Sequence, residues 1–201
     1  ITVAPGVEWT RMPLPFSLKF INVWIIDDGD GWTIVDTGIN TAEGRAAWGE
    51  VFTELGIAPH QIEKIVLTHV HPDHFGLAGW LHALVAEAGH NVPIFVSPQE
   101  DEQARILWRE GDTAAQFDQW LMANGMPDDF AATVAGRMGD TRAMTLPHPP
   151  PMTHLLPDSE ITLGERTFQA IHAPGHSDGQ FIFYDTADKL LLGGDHVLMK
   201  I

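Results

Sequence analysis

The chain contains no cysteine. Disulfides and thiolate metal ligands are therefore excluded, which leaves histidine and aspartate to hold any metal. Basic residues are scarce: 11 Lys+Arg stand against 27 Asp+Glu, a formal net charge of −16 with histidine neutral. Such an excess repels phosphate backbones and anionic membranes, so a nucleic-acid or membrane partner is not expected unless a local basic patch exists. No apolar run approaches the roughly 20 residues of a membrane span. The opening Ile1-Thr2-Val3-Ala4-Pro5 lacks the basic flank and apolar core of a secretory signal, so a cytoplasmic location is expected, with trimming of the N-terminus left open. No Gly-x-Ser-x-Gly pentapeptide occurs, which removes the serine nucleophile on a strained turn. Gly29-Asp30-Gly31 does not continue as a dinucleotide fingerprint.

What remains is an ordinary globular composition, 44% hydrophobic and 19% charged over 201 residues, enough for one sizeable core and a single domain over 1–201. Its most informative stretch is Thr68-His69-Val70-His71-Pro72-Asp73-His74. Three imidazoles and one carboxylate fall within six residues. Ile62 to Leu67 before it reads as a buried strand, and Phe75-Gly76-Leu77-Ala78-Gly79 after it as the start of a helix. A strand ending in such a turn projects several ligands into one small space. Clustering these ionisable groups would cost several kcal/mol without a compensating partner. His69 and His71, two apart in extended backbone, point the same way. Nitrogen and oxygen donors of this kind suit zinc, iron or manganese.

Around the motif the pattern is α/β. Phe20–Asp27 and Trp32–Asp36 read as a hairpin turning at Asp28-Gly29-Asp30-Gly31. Thr41 is placed to cap a helix over 42–55 that Gly56 ends. A helix over 76–88 and a strand at 93–97 follow. Residues 98–151 read as an insertion: two or three short helices opening at Pro98, then the Pro-rich connector Leu146-Pro147-His148-Pro149-Pro150-Pro151. Its aromatics either pack the insertion onto the domain, the plainer reading, or wall a substrate pocket. Hairpins are expected around Gly164 and around Thr186-Ala187-Asp188, and Asp195-His196 is expected in a strand that turns His196 to the opposite face.

The motif also carries a resemblance. His-x-His-x-Asp-His after a strand resembles the signature of the metallo-β-lactamase superfamily. Val35-Asp36-Thr37-Gly38, Ala173-Pro174-Gly175-His176-Ser177 and Gly193-Gly194-Asp195 resemble, in order, three further segments of that family. The resemblance implies a four-layer αβ/βα sandwich whose last part, with one more histidine ligand, is missing after residue 201. It implies that His69, His71 and His176 bind one divalent ion. Asp73 and His74 would bind a second, with Asp195 bridging. Zinc is the first expectation for both ions, with iron or manganese as alternatives. Asp36 is expected to hydrogen-bond the ligand turn. Ser177 is expected to donate to a neighbouring ligand, and His172 to pack. Two ions a few ångströms apart can share a hydroxide at neutral pH. The implied activity is hydrolysis of an ester, thioester or lactone of a small molecule, as in glyoxalase II-like enzymes, with Asp73 handling the proton of the attacking water.

Other activities on the same fold compete. β-Lactam hydrolysis survives the lack of cysteine, since other lactamase subclasses use different ligands. Phosphodiester or RNA cleavage is disfavoured by the net charge. Iron-based redox chemistry exists among related folds, and the joint presence of Asp73 and His74 favours two metals over a single iron. A non-enzymatic role is the weakest reading, because every ligand position expected in this stretch is filled. Oligomeric state is left open.

Overall fold

In a computed structural model, residues 1–110 and 113–198 are described. Strands β1 (Thr2–Ala4), β2 (Val7–Pro13), β3 (Phe20–Asp27) and β4 (Trp32–Val35) form an antiparallel meander. The β3–β4 hairpin closes where expected, with Asp28 N donating to Gly31 O at 2.8 Å. The sheet then turns parallel through β5 (Ile62–Val66), β6 (Ile94–Val96) and β7 (Thr153–His154), which completes seven strands in sequence order. Parallel neighbours need crossovers, and helices supply them. The β4–β5 crossover is α1 (Ala42–Leu55): the Thr41 hydroxyl accepts from Gly44 N at 3.0 Å, and Gly56 ends the helix at φ 69°.

The second crossover departs from expectation. The helix expected over 76–88 is α3 (Ala78–Glu87), and an unexpected short α2 (Pro72–Phe75) precedes it. Pro72 at a first-turn position starts α2 inside the histidine motif itself. Gly79 marks where the Pro-rich connector crosses α3, since a Cβ there would lie 1.9 Å from the Pro147 carbonyl oxygen.

The insertion holds α4 (Pro98–Ala104), a π-helical turn (Arg105–Arg109), α5 (Thr113–Ala123) and α6 (Asp128–Ala143). The plainer reading of its aromatics holds for Trp108. Trp108 and Leu121 are buried, whereas Trp120 and Phe130 stand 58% and 62% exposed.

A second, antiparallel sheet takes the order β11-β10-β9-β8, from β8 (Glu160–Leu163), β9 (Arg166–His172), β10 (Phe181–Asp185) and β11 (Leu190–Leu192). Two cores result. One lies between the large sheet and its helices, around Ile25, Ile65, Trp48 and Leu81. The other lies between the sheets, where Ile26, Val35 and Val66 meet Phe168, Phe181 and Phe183. Each fully buried side chain of this size contributes about 1.5–3 kcal/mol. Three of the four expected layers are thus present among the described residues: helices, large sheet, small sheet. Phe181 N donates to Thr68 O at 2.9 Å and ties the sheets together beside the histidine motif. After β11 the expected strand through Asp195 is absent. Gly193 and Gly194, the latter at φ 48°, turn the chain into a 3-10 turn over Gly194–His196, and His196 is exposed. No helix among the described residues is long and apolar enough to cross a membrane.

Candidate metal centre

The end of β5 delivers Thr68 and His69 into a fully buried position, and α2 turns His74 back toward them. Asp36 closes the arrangement from the end of β4. Its backbone sits at φ 62°, a left-handed conformation that costs a non-glycine residue roughly 1–3 kcal/mol and is held here by surrounding bonds. Asp36 Oδ1 accepts from Thr68 N at 2.8 Å, and Oδ2 accepts from the Thr68 hydroxyl at 2.8 Å. Oδ2 also meets His74 Nδ1 at 2.8 Å. A carboxylate accepts, so Nδ1 carries the proton and Nε2 is the free side of that ring. Among the described residues Nε2 is buried without a hydrogen-bond partner. The Asp195 Oδ1 atom stands 3.3 Å away, close enough for attraction but outside good hydrogen-bond alignment.

The other imidazoles converge on the same space. His69 Nε2 lies 3.1 Å from His71 Nδ1, which lies 2.9 Å from His176 Nε2. Three ring nitrogens at these distances cannot all carry protons. Burial lowers the pKa of His69 strongly, and His74, His71 and His176 add to it; burial and His176 lower that of His71. Both rings are thereby kept neutral, the form that binds a cation. Burial also acts to lower the pKa of His74, but Asp36, Asp195 and Asp73 outweigh it and hold the ring well above the usual histidine range. Burial opposes ionisation of Asp195, yet His74, His176 and His71 keep its carboxyl below the usual range.

Two ligand-type groups emerge, His69–His71–His176 and His69–His74–Asp195, each with donor atoms within 4.8 Å of one another. Asp195 faces both, with Oδ1 3.3 Å from His74 Nε2 and Oδ2 3.5 Å from His176 Nε2. These donors fit divalent ions: neutral nitrogens, carboxylate oxygens and a buried nitrogen without a partner. Five of the six expected ligand residues come together. Asp73 stands at the rim, its Oδ2 3.9 Å from His74 Nε2, outside both groups. His172 bonds the Asp178 carbonyl at 2.8 Å.

Two supporting residues, Glu100 and Trp108, escaped the sequence reading, and Ser177 was assigned the wrong partner. Ser177 donates at 2.5 Å to Glu100, not to a ligand. Glu100 itself is fully buried beneath the ligand loops. The signal available for it, Ser97-x-x-Glu100, reads as a helix capping box. Ser97 does cap Glu100 N, at 3.1 Å, but the carboxylate points away into the centre. Trp108 donates its Nε1–H to Val70 O at 2.8 Å.

The family model described as "Metallo-beta-lactamase superfamily" matches residues 17–201. The "Probable metallo-hydrolase YqjP" of Bacillus subtilis is 26% identical over 194 residues, covering 94% of this chain and 56% of its own length. An "Acyl-coenzyme A thioesterase MBLAC2" of Gallus gallus is 24% identical, covering 96% of this chain and 63% of its own. Among solved structures, a metallo-beta-lactamase family protein from Thermus thermophilus superimposes with a TM-score of 0.86 at 27% identity, over 100% of this chain and 62% of that one. The chain therefore spans about three-fifths of the length of these relatives. By fold, by the match over residues 17–201 and by the order of its motifs, the chain belongs to the metallo-beta-lactamase superfamily.

Proposed function

We propose that this protein is a dinuclear metal-dependent hydrolase of small-molecule thioesters, with esters and lactones as related substrates. The observation that carries the reading is the Asp195 carboxylate, which turns one oxygen toward His74 and the other toward His176. In this reading His69, His71 and His176 hold one ion. His74 and Asp195 hold the second, with Asp73 joining from the rim, and Asp195 serves both. Zinc is the first assignment, since neutral imidazole and carboxylate suit it. When bound, two such ions supply Lewis acidity and an acidified water.

The chain's own residues do the rest. Asp36 fixes the His74 ring through Nδ1. The Thr68 hydroxyl reaches His69 Nδ1 at 3.0 Å and orients that ring. In this reading Asp73, at the rim with its side chain one-fifth exposed, accepts the proton of the attacking water. The thioester preference is supported by the likeness to the acyl-coenzyme A thioesterase of Gallus gallus. The −16 net charge disfavours a nucleic-acid backbone as the alternative substrate.

A zinc-loaded preparation assayed on a panel of acyl thioesters, esters, lactones and a β-lactam tests the reading, with thiol release followed on the thioesters. Thioester turnover at least tenfold above the other substrates in kcat/KM is expected. Preferential β-lactam turnover would replace it.

A further inference from the structure

The buried Glu100 carboxylate spans two loops that are remote in sequence. Oε2 accepts from Val70 N at 2.8 Å. Oε1 accepts from Gly179 N at 2.8 Å and from the Ser177 hydroxyl at 2.5 Å. Val70 separates His69 from His71, and Ser177 follows His176. One side chain therefore bonds the Val70 backbone between His69 and His71 and, just after His176, the Ser177 hydroxyl and the Gly179 N–H. The other side of Val70 is held from the same segment, because Trp108 Nε1 donates to Val70 O at 2.8 Å. Both polar groups of the Val70 backbone are thus taken by side chains of residues 100–108. The packing leaves little slack: a Cβ on Gly179 would lie 2.6 Å from Ser97 Oγ and 2.8 Å from Glu100 N, so the 175–179 loop rests directly on the start of α4.

We infer that Glu100 is a positioning residue that sets the distance between the His69/His71 loop and the His176 loop, and thereby the affinity of the three-histidine site. The chemistry requires a carboxylate. Each of its oxygens receives at least one N–H, so both ends of the group must accept. An amide accepts at one end and donates at the other. A glutamine at this position can satisfy one loop but must turn N–H against N–H at the other. A merely structural buried acid would stabilise the fold without favouring one geometry of the three imidazoles.

The inference rests on the reading of His69, His71 and His176 as ligands of one ion, and the test separates the two. Metal-free parent, Glu100→Gln and Glu102→Gln are titrated with Zn2+ against a chromophoric chelator and with Co2+ followed in the visible. Glu102 is on the same helix, exposed and paired with Arg105, and serves as the control. The parent and Glu102→Gln are expected to bind alike. Glu100→Gln is expected to lose about 10- to 100-fold in affinity for one ion and to change the Co2+ spectrum of that site. Its kcat should fall more than its KM rises. Parent-like affinity and spectrum in folded Glu100→Gln, even with a lower Tm, would overturn the inference. If Glu100→Gln does not fold, Ser177→Ala decides. That variant removes one of the three bonds, so a smaller loss in the same direction is expected and no loss overturns the inference. Failure of the parent itself to bind metal would overturn the ligand reading, and this inference with it.

Discussion

Asp36 Oδ2 lies 2.8 Å from His74 Nδ1, and this bond leaves the opposite ring nitrogen buried and facing Asp195. The pairing fixes both the tautomer and the rotation of the ring. It also joins the ends of two parallel neighbours, β4 and β5, because the same carboxylate takes the Thr68 N–H and O–H.

Asp36→Ala is expected to destabilise the metal-free protein by about 3 kcal/mol. It leaves a buried Thr68 N–H without its acceptor and frees His74, and an unmade buried bond costs about 1–3 kcal/mol. Urea denaturation monitored by tryptophan fluorescence measures this. Asp36→Asn should retain more stability, yet still bind the second ion at least tenfold more weakly.

Gly79→Ala sets two effects against each other. Alanine raises helix propensity by about 1 kcal/mol. The new Cβ, 1.9 Å from the Pro147 carbonyl oxygen, must push the connector away, and such overpacking costs about 1–3 kcal/mol or more. The clash should win, with a Tm several degrees below the parent in a calorimetric scan. A raised Tm would mean that the connector does not lie against α3.

Thr41→Ala tests a local feature remote from the centre. Losing the hydroxyl that accepts from Gly44 N should cost about 1 kcal/mol. Metal stoichiometry should stay at the parent value, since Thr41 touches none of the clustered histidines.

Adding zinc to the chelated protein is expected to raise its unfolding free energy, by about 2.7 kcal/mol at a free concentration a hundredfold above Kd. Chelation should reverse the gain and abolish hydrolysis together. A Tm independent of zinc would show that the folded chain has no preference for the ion.

Much of this arrangement was legible because its signals are local. The α1 helix follows from Thr41 and Gly56 alone, each acting within a few residues. The histidine motif is contiguous, so its convergence needed only a strand and a turn. Asp36 was readable as a support of the ligand turn because it ends a strand, although its partners Thr68 and His74 are 32 and 38 residues away. Glu100 was not legible. Its partners lie 30 to 79 residues away, and its spacing from Ser97 mimics an ordinary capping box. Ser177 was read as serving a ligand for the same reason: the buried carboxylate that claims its proton comes from the insertion. His196 was misplaced because a strand was extended through Gly193 and Gly194, where the backbone turns instead. The short α2 was not legible because it lies within the histidine motif and ends after one turn, where Leu77 N bonds Gly38 O at 2.9 Å.

The most direct test of the central claim is metal content per chain by elemental mass spectrometry, on the parent and on His71→Ala and Asp195→Ala. The account predicts about two ions in the parent, as a paired site requires. It predicts a lower content in His71→Ala, which strikes the three-histidine group, and in Asp195→Ala, which strikes the carboxylate between the groups. No metal in the reconstituted parent, or a content unchanged by both substitutions, would contradict it.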